Sequence, residues 1–489
     1  MSRSLLCETV TGQSMADLRR ARDAAVADMV EVRLDGVTDV DVAGALHGRR
    51  KPVVVTCRPE WEGGRFAGTE EERHRILVEA LTLGAEFVDV EWMSLHGLHR
   101  PRFDDIVRTD PARVVVSSHD FEGVPADVEA RARDMRGYGA AVIKVAVMPH
   151  ALRDTLPLRE IARDGDAVVV GMGDSGVPTR LLASRYGSRW SYAGNGVAPG
   201  QIPAQRMLSQ YRFREIGPST RVFGVVSVSA LHSFSPLMHN AAFAADGLDA
   251  VYIPLQTAEF ADFDEFASAL GVEGVSVTIP FKGDALRAAS KADALTRQVG
   301  AANTLRRVQD AWEATNTDVT GFLAPLDQAL GRPLTGVRAS VLGGGGSARA
   351  VVVALLSRGA QVTVHTRRRE QAEEVTEDLG AAIGPWPVTE GWDLLVNCTP
   401  LGSPTMRDES PLPGGPFTGE LVYDVTYGDG ESRLVREARE AGCRTLDGLP
   451  MLVAQAERQF EWWIGRPPRR GVMRNAVVKT GDERSVPCT

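Results

Sequence analysis

The chain has 489 residues, more than the about 250–300 at which a single hydrophobic core stops growing, so we expect two or three domains. Its 43% apolar and 24% charged residues are ordinary for a soluble globular protein. The net charge of −9 argues against nucleic acid or an anionic membrane surface as a partner.

Eight short runs of strand-forming residues recur in the first half, with helical stretches between them. Eight strands that alternate with helices predict a parallel α/β fold, and the count of eight favours a (β/α)₈ TIM barrel over residues 1–215. A doubly wound sheet is the alternative. The predicted strands are residues 5–10, 29–34, 52–58, 87–92, 113–119, 141–148, 167–172 and 189–193.

Charged residues fall on or just beyond the C-terminal ends of these strands, where barrels carry their chemistry. A single charged residue of this kind is easily explained as a solvent-exposed surface residue. Charged residues at the ends of six strands, all on the same side of the barrel, are not easily explained in that way. The arginines among them predict an anionic substrate, most simply a carboxylate held by two hydrogen bonds. The residues are Glu31, Arg33, Arg58, Glu62, Asp89, Glu91, His119, Lys144 and Arg180.

Lys144 lies within an apolar strand, where it shares one face with Val142 and Ala146. Two interpretations are open. The lysine either reaches the rim or pairs with Glu91, or it is a desolvated amine with a lowered pKa that forms a Schiff base with a ketone. His119 ends the preceding strand, so we expect it beside Lys144, where it can carry protons.

A short connection over residues 210–221 leads to the second half and is too brief to be a flexible tether. Residues 221–335 contain loops rich in neutral hydrogen-bonding side chains, as a polyol substrate requires. Lys282 and Asp318 have the chemistry of a proton donor and the carboxylate that orients it. Taken singly, such loop residues are more often caps or turns.

A glycine-rich turn follows the predicted strand 340–342 and precedes an apolar helix. Gly343, Gly345 and Ala348 match the G-x-G-x-x-A order of a dinucleotide site, in which the helix N-terminus holds the pyrophosphate. The next strand ends at His365 without an acidic residue, and Thr366-Arg367-Arg368-Arg369 follows. Arginines suit a 2′-phosphate, so the sequence favours NADP(H) over NAD(H), the alternative being a solvated basic turn.

The motifs of the first half resemble type I 3-dehydroquinate dehydratase, in the order of that family, over about residues 5–210. They are Glu31-Val-Arg33-Leu-Asp35, Thr56-Cys-Arg58 with Glu62-Gly-Gly, Ser118-His119-Asp120-Phe121, Ile143-Lys144-Val-Ala-Val-Met148-Pro149 and Ala198-Pro199-Gly200-Gln201. The resemblance implies that Lys144 forms an imine with the substrate ketone and that His119, oriented by Glu62, is the general acid and base. It implies substrate contacts from Glu31, Arg33, Arg58, Arg180, Tyr192 and Gln201.

One position departs from that family, because Val197 stands where a serine usually precedes Ala-Pro-Gly-Gln. This loop is expected to close over substrate, so a lost hydroxyl contact would raise the KM or slow the step.

The second half is similar to shikimate dehydrogenase over about residues 221–480. Further matching motifs are Asn397-Cys-Thr399-Pro400-Leu-Gly402, Tyr423-Asp424 with Tyr427, and Gly448-Leu-Pro-Met451-Leu-Val-Ala-Gln455. The resemblance implies a substrate domain at 221–335 with a C-terminal return at 445–480, around a Rossmann domain at 336–444. It implies substrate and catalytic contacts from Ser233, Ser235, Thr278, Lys282, Asn303, Asp318, Tyr427 and Gln455. Implied cofactor contacts are Gly343, Gly345, Gly346, Ser347, Ala348, Thr366, Arg367, Arg368, Thr399 and Met451.

Together the resemblances predict a lyase and an NADP-dependent oxidoreductase in one chain, acting on 3-dehydroquinate, 3-dehydroshikimate and shikimate. Two alternatives stay open. A barrel that is impaired or binds ligand without turnover would accompany an active dehydrogenase, with Val197 as its support. A class I aldolase fused to a dehydrogenase would share the lysine but would not explain Arg58, Glu62 and the Ala-Pro-Gly-Gln loop together.

Five scattered cysteines, with no C-x-x-C pair, are typical of a reducing compartment and predict neither a metal site nor disulfides. The N-terminus lacks a signal-peptide layout, and no apolar run approaches the ~20 residues of a membrane span. We therefore expect a cytoplasmic enzyme with small-molecule substrates and no membrane partner. The sequence assigns no oligomeric state.

Overall fold

The structure is a computed structural model that describes residues 3–96, 100–389, 391–428 and 430–484. The chain forms two compact units, and each is treated by itself. The first contains the residues through Gly224 together with Ser229–Pro236 and Asp249–Val272. The second contains Val225–Val228, Leu237–Leu248 and the residues from Glu273 onward.

An eight-stranded parallel sheet dominates the first unit, in the order β7-β6-β5-β4-β3-β2-β1-β8. β7 and β8 meet where the Arg189 N–H donates to the Ala167 carbonyl and the Ser188 hydroxyl accepts from the Val169 N–H. The predicted barrel is thereby confirmed as nearly closed. Its strands are β1 Leu5–Val10, β2 Met29–Arg33, β3 Val53–Thr56, β4 Phe87–Glu91, β5 Val114–Asp120, β6 Val142–Val147, β7 Ala167–Gly171 and β8 Trp190–Ala193.

Helices between the strands cover the outside of the barrel. Two of them begin with a capping box, in which Ser14 or Thr69 exchanges hydrogen bonds with an acidic residue three positions later. The helices are α1 Met15–Ala24, α2 Val42–Leu46, α3 Glu70–Thr82, α4 Arg100–Thr109, α5 Val128–Gly137, α6 Leu156–Ala162, α7 Val177–Leu181, α8 Ala183–Tyr186 and α9 Ala204–Ser209.

The inside of the barrel is packed with apolar side chains below the carboxyl ends of the strands. Val54, Val115, Val142, Val168 and Trp190 belong to this buried cluster. Because strand side chains alternate, the next inward position of β6 above Val142 is Lys144. The amine of that lysine therefore lies above an apolar floor.

A mixed six-stranded sheet follows in the order β10-β9-β11-β13-β14-β12, and β13 runs antiparallel to β11 and β14. Its strands are β9 Arg221–Ser227, β10 Ala250–Gln256, β11 Val272–Val277, β12 Ala289–Ala292, β13 Thr304–Val308 and β14 Ala311–Thr315. The helices of this region are α10 Ser235–Ala245, α11 Phe260–Leu270, α12 Lys282–Ala288, α13 Ala294–Val299 and α14 Asp318–Leu330.

The last sheet is parallel, in the order β17-β16-β15-β18-β19-β20. The chain order reverses beside β15, which opens a crevice at the carboxyl ends of β15 and β18, the place where such sheets bind nucleotides. The strands are β15 Arg338–Leu342, β16 Gln361–His365, β17 Ala382–Ile383, β18 Leu394–Asn397, β19 Leu421–Asp424 and β20 Arg444–Leu446. The helices are α15 Gly346–Ser357, α16 Arg369–Leu379, α17 Arg433–Glu440, α18 Leu449–Ile464 and α19 Val472–Arg484.

This topology confirms the predicted Rossmann-type arrangement. Within the part of the chain that the structure describes, no helix is both long enough and apolar enough to cross a bilayer.

Candidate active sites

A cavity opens at the carboxyl ends of the barrel strands, the end at which barrel enzymes bind their substrates. Its lining comes from strands far apart in sequence and from the loop after β8. The lining contains every residue to which the family resemblance gives a role in this half, namely Glu31, Arg33, Arg58, Glu62, His119, Lys144, Arg180, Tyr192 and Gln201, together with Val197. Asp89 and Glu91, also predicted at this mouth, lie outside that lining.

Lys144 is only 6% exposed and lies in this cavity, not at the rim. Its Nζ is 3.4 Å from Glu31 Oε1, 3.6 Å from Asp89 Oδ2 and 4.3 Å from the centre of the Tyr192 ring. The pairing of Lys144 with Glu91 that was considered from the sequence is wrong, because the Glu91 carboxylate pairs with Arg58 and Arg73 instead. Burial alone would raise the pKa of Glu31, but positive charges, led by that of Lys144, outweigh it and lower the pKa.

Glu62 and His119 form a hydrogen-bonded pair beside Lys144. His119 Nδ1 is 3.0 Å from Glu62 Oε1, and the His119 backbone N–H donates to the same oxygen at 3.0 Å. Burial, together with the charges of Arg58 and Lys144, lowers the pKa of His119 well below its usual value. Burial raises the pKa of Glu62 to about 8. At neutral pH the imidazole is therefore uncharged and able to accept a proton.

Two arginines of the cavity already have acidic partners. Arg33 forms two hydrogen bonds with Asp35, at 2.8 and 2.9 Å. Arg58 pairs with Asp89 at 2.9 Å and with Glu91 at 2.8 Å. These guanidinium groups are fixed in place before any substrate arrives.

Arg180 differs from both, because its guanidinium is 1% exposed and has only neutral partners. It donates to the carbonyls of Tyr192 at 3.2 Å and Pro199 at 3.1 Å, and no described carboxylate lies within salt-bridge distance. Burial lowers its pKa to about 10. A buried, unpaired cation at a cavity wall is a site for an anionic group.

The loop after β8 closes one side of the cavity. Gln201 Oε1 accepts hydrogen bonds from the backbone N–H groups of Val197, at 2.8 Å, and Ala198, at 3.2 Å. Gly200 has a φ of 71°, and a Cβ there would lie 2.4 Å from the Gly173 carbonyl oxygen. Gln201 thus shapes the loop from within, and Val197 presents a methyl surface to the cavity.

The second cluster of chemistry-bearing residues lies at the start of two helices in the second unit. Lys282 begins α12 and Asp318 begins α14, and Lys282 Nζ donates to Asp318 Oδ2 at 2.6 Å. Asn303 Nδ2 donates to the other carboxylate oxygen at 2.8 Å and is 3.4 Å from Gln455 Oε1. Lys282 and Asp318 are 9% and 6% exposed. The structure thus brings the predicted pair, Lys282 and Asp318, together with Asn303 and Gln455.

The other predicted substrate residues are divided between the two units. Thr278 follows β11, and its N–H donates to the Val226 carbonyl at 3.2 Å. Burial raises the pKa of Tyr427, and the charge of Asp318 adds to the effect. Ser233 and Ser235 belong to the first unit, where the Ser233 hydroxyl accepts from the Ser235 N–H at 3.1 Å.

The glycine turn occupies the crevice between β15 and β18. Gly343 has a φ of 112°, and a Cβ there would lie 3.1 Å from the Cys398 backbone, so no other residue fits easily. Gly346 is the first residue of α15, and a Cβ on it would lie 3.2 Å from Lys282 Cδ. The helix N-terminus, with Ser347 and the buried Ala348 behind it, is therefore next to the side chain of the predicted proton donor.

The remaining predicted cofactor residues follow β16 and β18, except Met451, which lies on α18. The Thr399 N–H and hydroxyl both donate to Asn397 Oδ1, at 2.9 and 2.7 Å, and Met451 is buried on α18. After β16, the Thr366 hydroxyl donates to the Arg368 carbonyl at 2.6 Å. Arg367 and Arg368 are exposed and form no ion pair with any described carboxylate.

Comparisons with known proteins cover both halves of the chain. The model of type I 3-dehydroquinase matches residues 6–218, that of the shikimate dehydrogenase substrate-binding domain matches 225–305, and that of the shikimate 5′-dehydrogenase C-terminal domain matches 448–478. A chloroplastic bifunctional 3-dehydroquinate dehydratase/shikimate dehydrogenase from Arabidopsis thaliana is 30% identical over 95% of this chain and 82% of its own. The chain belongs to this bifunctional family.

Other relatives match about half of the chain. A shikimate dehydrogenase (NADP(+)) from Hyphomonas neptunium is 38% identical over 51% of this chain and 93% of its own. A crystal structure of a shikimate dehydrogenase in complex with NADP⁺ has a TM-score of 0.51 and 30% identity, and covers 53% of this chain and 96% of its own. A crystal structure of shikimate dehydrogenase from Aquifex aeolicus has a TM-score of 0.50 and 29% identity, with 54% and 99% covered.

Against this family background, several residues of the dehydratase-like cavity were not assigned to the site from sequence. Asp89 was noted only as a charge at a strand end, yet it contacts Lys144 and Arg58 and accepts from the Ser117 hydroxyl. Thr9 lines the cavity and donates to Glu31 Oε2 at 2.9 Å. These residues lie at inward-facing positions of β1, β4 and β5. The alternation of side chains along each strand is the sequence signal that could have found them.

Proposed function

We propose that this chain catalyses two consecutive reactions, the dehydration of 3-dehydroquinate to 3-dehydroshikimate in the barrel and its NADPH-dependent reduction to shikimate in the second half. The observation that carries the proposal is the barrel cavity, which places a buried amine, a neutral imidazole and an unpaired buried arginine together. The amine can form an imine with a ketone, the imidazole can remove the α-proton of that ketone, and the arginine can bind a carboxylate of the same substrate. Family membership extends the proposal to both halves.

The first reaction uses the side chains of the cavity in turn. The neutral His119 takes a proton from the Lys144 ammonium, and the freed Nζ attacks the ketone carbon. The same proton then leaves with the former ketone oxygen as water, which gives an imine whose positive charge acidifies the neighbouring α-proton. His119 takes that proton because its lowered pKa keeps it neutral, and it returns a proton to the departing hydroxyl. Hydrolysis of the imine then frees the product and Lys144. Arg180 holds the carboxylate, with Glu31, Arg33, Arg58, Tyr192 and Gln201 around the ring.

The second reaction needs a hydride, which bound NADPH supplies. The crevice fits this cofactor, since Gly343 allows close backbone approach and the free N–H groups of α15 face it. Lys282 gives a proton to the ketone oxygen as it gains charge, and Asp318 fixes the lysine in position. Ser233, Ser235, Thr278, Asn303, Tyr427 and Gln455 bind the substrate hydroxyls and carboxylate. Arg367 and Arg368, with Thr366, receive the 2′-phosphate.

We propose the domain limits 1–215, 221–335 with the return 445–480, and 336–444. A cytoplasmic location is also proposed, supported by the free thiols of Cys7, Cys57, Cys398 and Cys443. The alternative of a non-catalytic barrel is not favoured, because the cavity retains the complete lysine, histidine and glutamate set.

A coupled assay tests the whole proposal. The full chain is mixed with 3-dehydroquinate and NADPH, with loss of NADPH absorbance followed and shikimate identified by mass spectrometry. We expect NADPH oxidation with stoichiometric shikimate, which requires both sites. Oxidation only when 3-dehydroshikimate replaces 3-dehydroquinate would establish the non-catalytic barrel instead, and no oxidation with either substrate would reject the dehydrogenase as well.

A further inference from the structure

The segment Asp249–Val272 follows the barrel in sequence but belongs to the same compact unit. It comprises β10 and α11, and β10 lies against α7, the barrel helix that carries Arg180. The segment falls within the residues matched by the substrate-binding domain model of shikimate dehydrogenase. A piece of one catalytic half is therefore built into the unit of the other.

One contact of this segment reaches the loop after β6, the strand that carries Lys144. Asp262 on α11 is 2% exposed, and its carboxylate accepts backbone hydrogen bonds from Leu152 at 2.9 Å and Arg153 at 2.8 Å. The Thr257 hydroxyl donates to the same carboxylate at 2.6 Å. The helical turn that starts at Arg153 has no side-chain cap of its own. Asp262 thus serves as its N-terminal cap, which fixes the end of the loop.

A second contact reaches the loop after β7. Gln256 ends β10, and its Nε2 donates to Asp174 Oδ2 at 2.7 Å. The neighbouring Gly173 supports Gly200 of the loop that closes the cavity, with no room for a Cβ between them. Gln256 therefore steadies the loop on which the cavity's closing segment rests.

We propose that Asp262 and Gln256 are positioning residues for the dehydratase reaction, acting through the loops after β6 and β7. The inference rests on the proposed dehydratase activity. Asp262 acts through the loop after β6, the strand that carries Lys144, and governs the chemical step. Gln256 acts on the closing loop and governs substrate retention.

Kinetics on the full chain test the two residues separately. Asp262→Asn replaces one acceptor by a donor that faces a backbone N–H, and Glu265→Gln, an exposed change on the same helix, is its control. We expect Asp262→Asn to lower the dehydratase kcat by roughly tenfold or more with a smaller change in KM, because small displacements at a reacting centre are costly. The control, and the dehydrogenase turnover rate measured with 3-dehydroshikimate, should stay within about twofold.

Gln256→Glu and Gln256→Lys form a charge pair of variants at an accessible position. The glutamate repels Asp174 and should raise the KM for 3-dehydroquinate about fivefold, whereas the lysine preserves the attraction and should leave it within about twofold. The proposal is overturned if the two variants behave alike, if Asp262→Asn matches Glu265→Gln, or if Asp262→Asn lowers both activities equally along with the Tm. A wild-type chain without dehydratase activity would instead reject the proposed function.

Discussion

The two halves of the molecule each carry a buried lysine, and the surroundings of the two differ. Lys144 is 6% exposed and Lys282 is 9% exposed, so burial does not distinguish them. Lys282 makes one short contact of 2.6 Å to Asp318, whereas Lys144 has two long ones, of 3.4 and 3.6 Å, to different carboxylates. A tight pair suits a fixed proton donor, and a loosely held amine is free to attack a carbonyl.

The strongest separation of the two lysines comes from trapping the first. Borohydride added with 3-dehydroquinate should reduce the imine and leave a covalent adduct, which peptide mass mapping places on Lys144. Lys144→Ala should lose dehydratase activity by more than about 10³-fold because no imine forms, with the reduction of 3-dehydroshikimate unchanged. Lys144→Arg keeps the charge and should lose as much. An adduct elsewhere in the chain would contradict this assignment.

The opposite variant removes the second lysine. Lys282→Ala should slow the turnover of 3-dehydroshikimate to shikimate by about 10²–10⁴-fold, the range for loss of a general acid. Dehydratase activity and borohydride labelling of Lys144 should stay at wild-type levels. Asp318→Asn, which leaves the lysine without its orienting carboxylate, should cost less. A Lys282→Ala enzyme that reduces 3-dehydroshikimate at the wild-type rate would contradict the role of Lys282 as proton donor.

Cofactor choice provides a smaller effect in the second half. Changing Arg367 and Arg368 to Ala should lower kcat/KM for NADPH by about 10–100-fold, as expected for lost hydrogen bonds to a charged group, with NADH little affected. Arg369→Ala, which removes the neighbouring partner of Glu373, is the matched control. Equal use of NADPH and NADH by the wild type would refute the role of these arginines.

Glu62 gives the first half a pH signature of its own. Burial raises its pKa from 4.5 to about 8, so its contribution to folding stability is fully present below pH 4.5 and falls as the pH rises towards 8. The Tm of the wild type should therefore fall relative to that of Glu62→Gln between pH 5 and 8, and run parallel above. The dehydratase rate should show an inflection near pH 8 that Glu62→Gln lacks. Parallel Tm curves throughout would contradict this ionisation.

The smallest expected effect concerns the cavity's closing loop. Val197→Thr has nearly the shape of valine and adds a hydroxyl at the cavity wall, so it should lower the KM for 3-dehydroquinate by about 2–10-fold, the worth of one neutral hydrogen bond. Val197→Ala provides the control for shape alone. An unchanged KM in Val197→Thr would mean that substrate does not contact this position.

The sequence predicted the barrel well because both faces of a parallel strand are buried, so each strand shows as a run of β-branched residues. The ends are less clear, since the run predicted at 52–58 stops at Thr56 and the chain then turns into the cavity. Alternation placed Lys144 on one strand face with Val142, but it does not tell whether that face is the interior or which carboxylates meet the lysine there. That depends on the order and stagger of β2, β4 and β6.

The pairing of the arginines was also beyond the sequence. Arg33, Arg58 and Arg180 look equivalent as charges at strand ends, yet only Arg180 has no acidic partner among the described residues. The structure likewise assigns Asp249–Val272 to the unit of the barrel, although chain order groups it with the second half. Chain order does not record which core a segment packs against.

The isolation of Arg180 has a consequence for how the protein tolerates change. A guanidinium that is 1% exposed and faces no carboxylate costs stability whenever the cavity lacks an anion. Replacing it by an apolar side chain of similar volume would give a more stable protein that no longer binds the substrate anion. Selection for stability alone would therefore replace this arginine first. Only selection for the reaction keeps it at this position.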